Sequence, residues 1–291
     1  VSINLDGKTC LITGSTSGIG QEAAVALARL GARVVLTARD AKKGAAALAD
    51  VKQRSGSEKV ELMFCDFSSQ QDIRRFAEEF RKRHDALHIL VNNAGAVNAS
   101  REVTADGFEK TWATNHLGYF LLTNLLLDLL VASAPARIVN VSSEGHRRGA
   151  IDFDNLQFEK GGYQVMTAYS RSKLANNLFT AELSRRVAGK GVTVNALHPG
   201  VVATNIWSRA PFFAKPVLAI AKLFFITPEE GSRTIVYLAS SPEVEETTGQ
   251  YFIRNKPVRW SRLSHDESLA KKVWEVSEQQ TGLAGAARIT A

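Results

Sequence analysis

The sequence has little that would staple, anchor or metallate a fold. Only two cysteines, Cys10 and Cys65, occur in 291 residues. Both lie in apolar runs, so a disulfide framework is excluded and buried thiols in a reducing compartment are expected. The six histidines are dispersed and never join the cysteines at ligand spacing, which argues against a metal centre. No apolar run approaches the roughly 20 residues of a membrane-spanning helix, and no signal-peptide pattern is present. A cytoplasmic protein is the resulting expectation, although a chain that begins with Val1 leaves a preceding segment open. Linkers, low-complexity blocks and internal repeats are also missing, so one domain is expected over residues 1–284, with a disordered tail at 285–291.

The charge balance is basic, 36 Lys and Arg against 29 Asp and Glu. The charges are scattered, and short runs such as Arg81-Lys82-Arg83 and Arg147-Arg148 read as solvated faces. A nucleic-acid partner is therefore not expected.

What is present is alternation. Apolar β-branched runs at 10–12, 33–37, 59–64, 88–91, 137–141, 192–196 and 251–253 are separated by amphipathic stretches of helical period. Seven strands joined by helical crossovers predict an α/β protein of the single-domain Rossmann type. Its sheet would be a seven-stranded, doubly wound parallel one of order 3-2-1-4-5-6-7, with helices on both faces. Ligands of such sheets sit beyond the carboxyl ends of the strands.

The first such end is Thr13-Gly14-Ser15-Thr16-Ser17-Gly18-Ile19-Gly20, lying between a strand and a helical pattern. Glycines let the backbone turn tightly and approach a pyrophosphate, and the unsatisfied N–H groups of the next helix attract its charge. Gly14, Ser15, Ser17, Gly18, Ile19 and Gly20 are thus candidate dinucleotide contacts. After the second strand, the acidic residue that would bind a ribose 2′-hydroxyl is replaced by Ala38-Arg39. The Arg39 guanidinium suits a 2′-phosphate, which favours NADP(H) over NAD(H). Asp66 and Phe67 end the third strand, where a carboxylate can accept from an adenine amino group. Asn93, Ala94 and Gly95 end the fourth, where small residues permit close approach to a ribose. A helix is expected over about 107–130; Asn115 inside it has poor helix propensity and is assigned a hydrogen-bonding role. His116 is read as packed.

The chemistry is carried by Ser142-Ser143 after the fifth strand and by Tyr169-Ser170-Arg171-Ser172-Lys173 in the following helical stretch. Tyr169 and Lys173 are four residues apart and share a helix face, so an ammonium beside the phenol is expected to lower its pKa. The glycine-rich turn, Asn92-Asn93-Ala94-Gly95, Ser142-Ser143, Tyr169 with Lys173, and His198-Pro199-Gly200 occur in one order. That order resembles the short-chain dehydrogenase/reductase family over about Leu5 to Leu283. The resemblance is strongest to the retinol dehydrogenase branch, through 36–40, 172–176, 198–202 and 273–277. It implies Tyr169 as general acid/base, Lys173 as its partner and a ribose ligand, Ser143 on the substrate oxygen, and Asn115 as anchor of a proton relay. It also implies that Pro199, Gly200, Val202 and Thr204 hold the nicotinamide carboxamide.

Between Ser143 and Tyr169 lie Phe153, Leu156, Phe158 and Tyr163; beyond Gly200 lie Trp207, Phe212, Phe213, Phe224 and Phe225. Aromatic loops beyond strand ends predict a small apolar carbonyl or alcohol substrate such as a retinoid, a steroid or an aldehyde. Residues 211–226 have amphipathic helical spacing and read as a lid over the site, with peripheral membrane contact through the same face left open. Homo-oligomerisation is also left open. The competing reading from another class is an NADP-binding regulatory or scaffold protein with little turnover.

Overall fold

A computed structural model describes residues 3–200 and 226–284 of the chain. Val202, Thr204, nearly all of the expected lid and the tail at 285–291 lie outside those residues. The strands are β1 (Thr9–Ile12), β2 (Arg33–Ala38), β3 (Val60–Phe64), β4 (Ile89–Asn92), β5 (Ala136–Val141), β6 (Val192–His198), β7 (Tyr251–Ile253) and β8 (Lys256–Pro257). They form one sheet of order β3-β2-β1-β4-β5-β6-β7-β8, parallel from β3 to β7.

The eighth strand departs from the expected seven. It pairs antiparallel with β7, and the residues between them, Arg254 and Asn255, both have positive φ (50° and 62°). Two consecutive left-handed residues make the tight hairpin turn that matches strand twist. The pair contains no glycine and the strand it starts has two residues, one of them proline, so neither signalled itself.

Helices α1 (Gly18–Arg29), α2 (Ala41–Ser55), α3 (Gln70–Arg83), α4 (Lys110–Trp112), α5 (Gly118–Leu125), α6 (Leu127–Ala132), α7 (Val165–Arg186), α8 (Pro228–Ser240) and α9 (Glu267–Gln280) surround the sheet. Side chains alternate across each strand, and the two cores follow that alternation. Cys10, Ile12, Val34 and Leu36 pack with α1 and with Ile235 and Leu238 of α8. Leu11 and Val35 face the opposite core, with Phe76 and Phe80 of α3, Phe120 of α5, Phe179 of α7 and Trp274 of α9. No helix among the described residues is long and apolar enough to cross a membrane.

Helix ends follow local chemistry. Asp40 accepts from the Lys43 N–H to cap α2, whose chain reverses at Gly56 (φ 70°), and Ser69 caps α3. The helix expected as one piece over 107–130 is broken. Glu109 caps α4 by accepting from the N–H groups of Thr111 and Trp112; a π-turn at Ala113–Leu117 follows, then α5 and α6. The wider turn inserts an extra residue, and Asn115 lies within it.

Candidate active site

The site forms at the carboxyl ends of β1, β2, β4, β5 and β6. Thr13 ties the first two motifs together: its hydroxyl accepts from the N–H groups of Asn93 (2.8 Å) and Ala94 (2.9 Å). Asn93 Nδ2 returns bonds to the carbonyls of Thr13 (2.8 Å) and Gly14 (3.0 Å). A methyl at Gly20 would stand 2.4 Å from Asn93 Nδ2, and one at Gly14 (φ 64°) 2.7 Å from Ala94 Cα, so both positions demand glycine. Ser15 turns inward, donating to the Ile12 carbonyl and accepting from the Thr37 N–H. Its hydroxyl braces the turn instead of facing a ligand. Ser17 stands at the N-cap of α1 without a capping bond, and the first turn has no acidic residue, so that helix end is open to an anion. Gly18 there has φ 61°, and Ile19 is half-buried against the α1 core.

Arg39 projects into solvent after β2, with 69% of its side chain exposed, and its nearest charge is Asp66 at 3.8 Å. Such a loose pair leaves the guanidinium fork available. Asp66 Oδ1 accepts from the N–H and hydroxyl of Ser68, at 2.9 and 2.7 Å. Phe67 is buried and edge-on to Phe76 at 6.3 Å, so its ring belongs to the core. Open turn, close glycine packing and an exposed, loosely paired guanidinium together fit a dinucleotide. Gly14, Gly18, Gly20, Arg39, Asp66 and 93–95 are the residues that would hold it.

At β5 the two serines point opposite ways, as alternation requires. Ser142 donates to the Lys173 carbonyl in the core (3.0 Å), which leaves Ser143 to the site. Ser143 Oγ accepts from the Gly145 N–H at 3.1 Å. Its hydroxyl also hydrogen-bonds the Tyr169 side chain. Tyr169 is half-buried on α7, and a methyl at Gly145 would lie 3.4 Å from its ring and 3.5 Å from Ser143 Oγ, which puts serine and phenol on either side of that glycine. Lys173, buried, donates to the Val141 carbonyl (2.9 Å), and its ammonium lies 5.7 Å from the Tyr169 ring. Gly95 gives it room: a side chain there would approach Lys173 Nζ to 3.9 Å and Asn115 Oδ1 to 3.5 Å. From the π-turn, Asn115 accepts from the Ala96 N–H (2.7 Å) and donates to the Ala96 carbonyl (3.0 Å) and Ser172 Oγ (3.1 Å). It thereby fastens the β4 loop to the helix that carries Tyr169.

The electrostatics differ from the expectation that Lys173 lowers the phenol. Burial raises the Tyr169 pKa, opposed by hydrogen bonding with Ser143, and burial lowers Lys173 to about 7. Helical spacing shows that two residues are neighbours but not that both lose solvent, and here desolvation is the largest influence on each. His198, ahead of Pro199 and Gly200 (φ 97°), is pushed down to about 4 by burial.

The aromatic loop before α7 is only partly a pocket wall. Leu156 and Phe158 are buried; Arg171 stacks 4.1 Å over Phe158 and donates to the carbonyls of Asn155 and Leu156. Tyr163 donates to the Asn98 carbonyl (2.8 Å). His116 is packed, with Nε2 2.8 Å from Ser277 Oγ. Sequence reasoning gave no role to Thr13, Ser172 and His146, which support the site through partners distant in sequence.

The family described as short chain dehydrogenase matches residues 8–211 of this chain. Curated relatives include human retinol dehydrogenase 14, 44% identical over 295 residues (96% of this chain, 88% of the relative). Human retinol dehydrogenase 13 is 41% identical over 284 residues (96% and 86%). Among solved structures, an uncharacterised protein from Mycobacterium paratuberculosis superposes with TM-score 0.79 at 35% identity, covering 96% and 95% of the two chains. RhlG of Pseudomonas aeruginosa, solved as an NADP active-site complex, gives 0.70 at 26% identity, with 92% and 98% covered.

Proposed function

The chain belongs to the short-chain dehydrogenase family and is an oxidoreductase similar to retinol dehydrogenases; on that footing we propose that it interconverts an apolar carbonyl compound and its alcohol with NADP(H). The observation that supports this most is the grouping of a serine that hydrogen-bonds the phenol across Gly145 from it with a desolvated lysine one helical turn on. The open N-terminus of α1 and the exposed Arg39 support the dinucleotide and its 2′-phosphate.

When bound, the dinucleotide supplies or removes the hydride. In reduction, Ser143 donates a hydrogen bond to the carbonyl oxygen, and Tyr169 gives that oxygen its proton as the carbonyl carbon gains the hydride. In oxidation Tyr169 takes the proton back. Lys173 offers positive charge beside the phenol when protonated and a hydrogen-bond donor toward the nicotinamide ribose. Asn115 holds the β4 loop and α7 in register around it. The proposed substrate is an apolar carbonyl or alcohol of the retinoid, steroid, or aliphatic or aromatic aldehyde or ketone class.

A panel of retinal, a steroid ketone, and aliphatic and aromatic aldehydes, followed by NADPH and NADH absorbance, tests this. Turnover of apolar carbonyls with preference for NADPH is expected. NADPH binding without turnover on any member would overturn the catalytic reading in favour of a regulatory or scaffold protein.

A further inference from the structure

The turn after Ser143 is tied to the far edge of the sheet. Arg147 donates to the Arg259 carbonyl (2.8 Å), Tyr251 donates to Glu144 Oε1 (3.2 Å), and the Ser261 N–H donates to His146 Nε2 (3.1 Å). These bonds join the serine turn to β7 and to the chain that follows β8, more than a hundred residues away. His146 stands at the centre, fully buried and edge-on to Tyr251 at 4.9 Å. Its Nδ1 lies 2.7 Å from the Ser143 carbonyl, which also accepts from the His146 N–H at 3.0 Å.

A backbone N–H can only donate, so the Ser261 amide requires a lone pair on Nε2 and puts the ring proton on Nδ1. That proton then points at the Ser143 carbonyl. The opposite tautomer would set a donor against the Ser261 N–H and a lone pair against the carbonyl oxygen. We propose that His146 is a positioning residue for Ser143: held in its Nδ1–H form by the Ser261 amide, it clamps the Ser143 carbonyl and so fixes where the serine hydroxyl meets the substrate oxygen.

The proposal rests on the carbonyl-reductase reading for its kinetic arm alone. Asn and Gln separate the two halves of the ring. His146→Asn keeps a donor near Nδ1 and loses the acceptor at Nε2; His146→Gln keeps an acceptor near Nε2 and loses the donor at Nδ1. With a carbonyl active in the panel, His146→Gln should lower kcat about tenfold, the effect of one well-made hydrogen bond. KM and NADPH affinity should stay within about twofold, while His146→Asn keeps kcat within about threefold. Equal losses in both variants would mean that the ring holds the C-terminal chain and not the serine. Wild-type kinetics in both would also overturn the proposal. Independently of turnover, two-bond 15N–1H correlation on the labelled wild-type protein should show a neutral ring protonated at Nδ1, and protonation at Nε2 would refute the clamp. Ser261 has φ −65°, the value proline imposes, so Ser261→Pro removes the amide donor with little strain. It should mix the tautomers and lower kcat; an unchanged tautomer would refute the role given to that amide. Absence of turnover in the wild type would overturn the functional reading and leave the tautomer measurement decisive for the ring.

Discussion

Replacing Asn115 by leucine probes the joint between the loop after β4 and helix α7. The side chains are similar in size, so the change removes polarity with little loss of volume. Three hydrogen bonds disappear: Ala96 N–H and C=O lose their partners at 2.7 and 3.0 Å, and Ser172 loses the donor at 3.1 Å. Ser172 still donates to the Tyr169 carbonyl (2.7 Å), so its own proton stays satisfied. Each orphaned buried backbone group costs about 1–3 kcal/mol, and Ala96 is half-buried, which lets water recover part of that. A loss of roughly 2–4 kcal/mol follows. Urea unfolding followed by circular dichroism should show it as a lower midpoint at unchanged slope. Because the same bonds hold Gly95 beside Lys173, kcat should fall as well, by about tenfold or more. A variant within about 0.5 kcal/mol of wild type, with wild-type kcat, would refute the reasoning.

Arg39→Asp should weaken NADPH binding by roughly ten- to a hundredfold while changing NADH affinity little, because one charge-assisted contact with the 2′-phosphate becomes a repulsion; isothermal titration with both cofactors reads it, and equal losses would remove Arg39 from that role. His116 carries a pH prediction. Burial lowers its pKa to about 3 from 6.5, so the unfolded chain binds the extra proton between those values, and stability is fully present above pH 6.5 and lost as pH falls. At pH 4.5 the loss from this residue is about 3 kcal/mol. His116→Leu should flatten the difference in urea midpoint between pH 7.5 and 4.5, and an unchanged difference would show that other groups set the acid response.

What could be read from the sequence was local or periodic. The strand order followed from alternation and crossovers, and the choice of Ser143 over Ser142 from the family resemblance, since the pleat requires only that one of the two face the site. Tyr169 and Lys173 meet because helical spacing requires it. Desolvation has no sequence signature at this level, so the direction of the Tyr169 shift was misread. Asn115 was identified through its poor helix propensity, but the π-turn that carries it depends on Glu109 capping α4 and on partners at Ala96 and Ser172. Phe67, Leu156 and Phe158 look like site residues in the chain and have buried side chains in the fold, because the ends of strands and the loops beyond them border both the site and the core. The His146 network was invisible for a plainer reason: its partners, Tyr251, Arg259 and Ser261, come together only when the last strands join the sheet.

In the proposed reaction Tyr169 exchanges the proton with the substrate oxygen while binding of the dinucleotide depends on other groups. Single-turnover reduction of an apolar aldehyde by Tyr169→Phe, paired with titration of NADPH into the same protein, tests both halves. A rate lower by about 10²–10⁴ is expected, with NADPH affinity within about threefold of wild type. A Tyr169→Phe protein that reduces the aldehyde at the wild-type rate would contradict it.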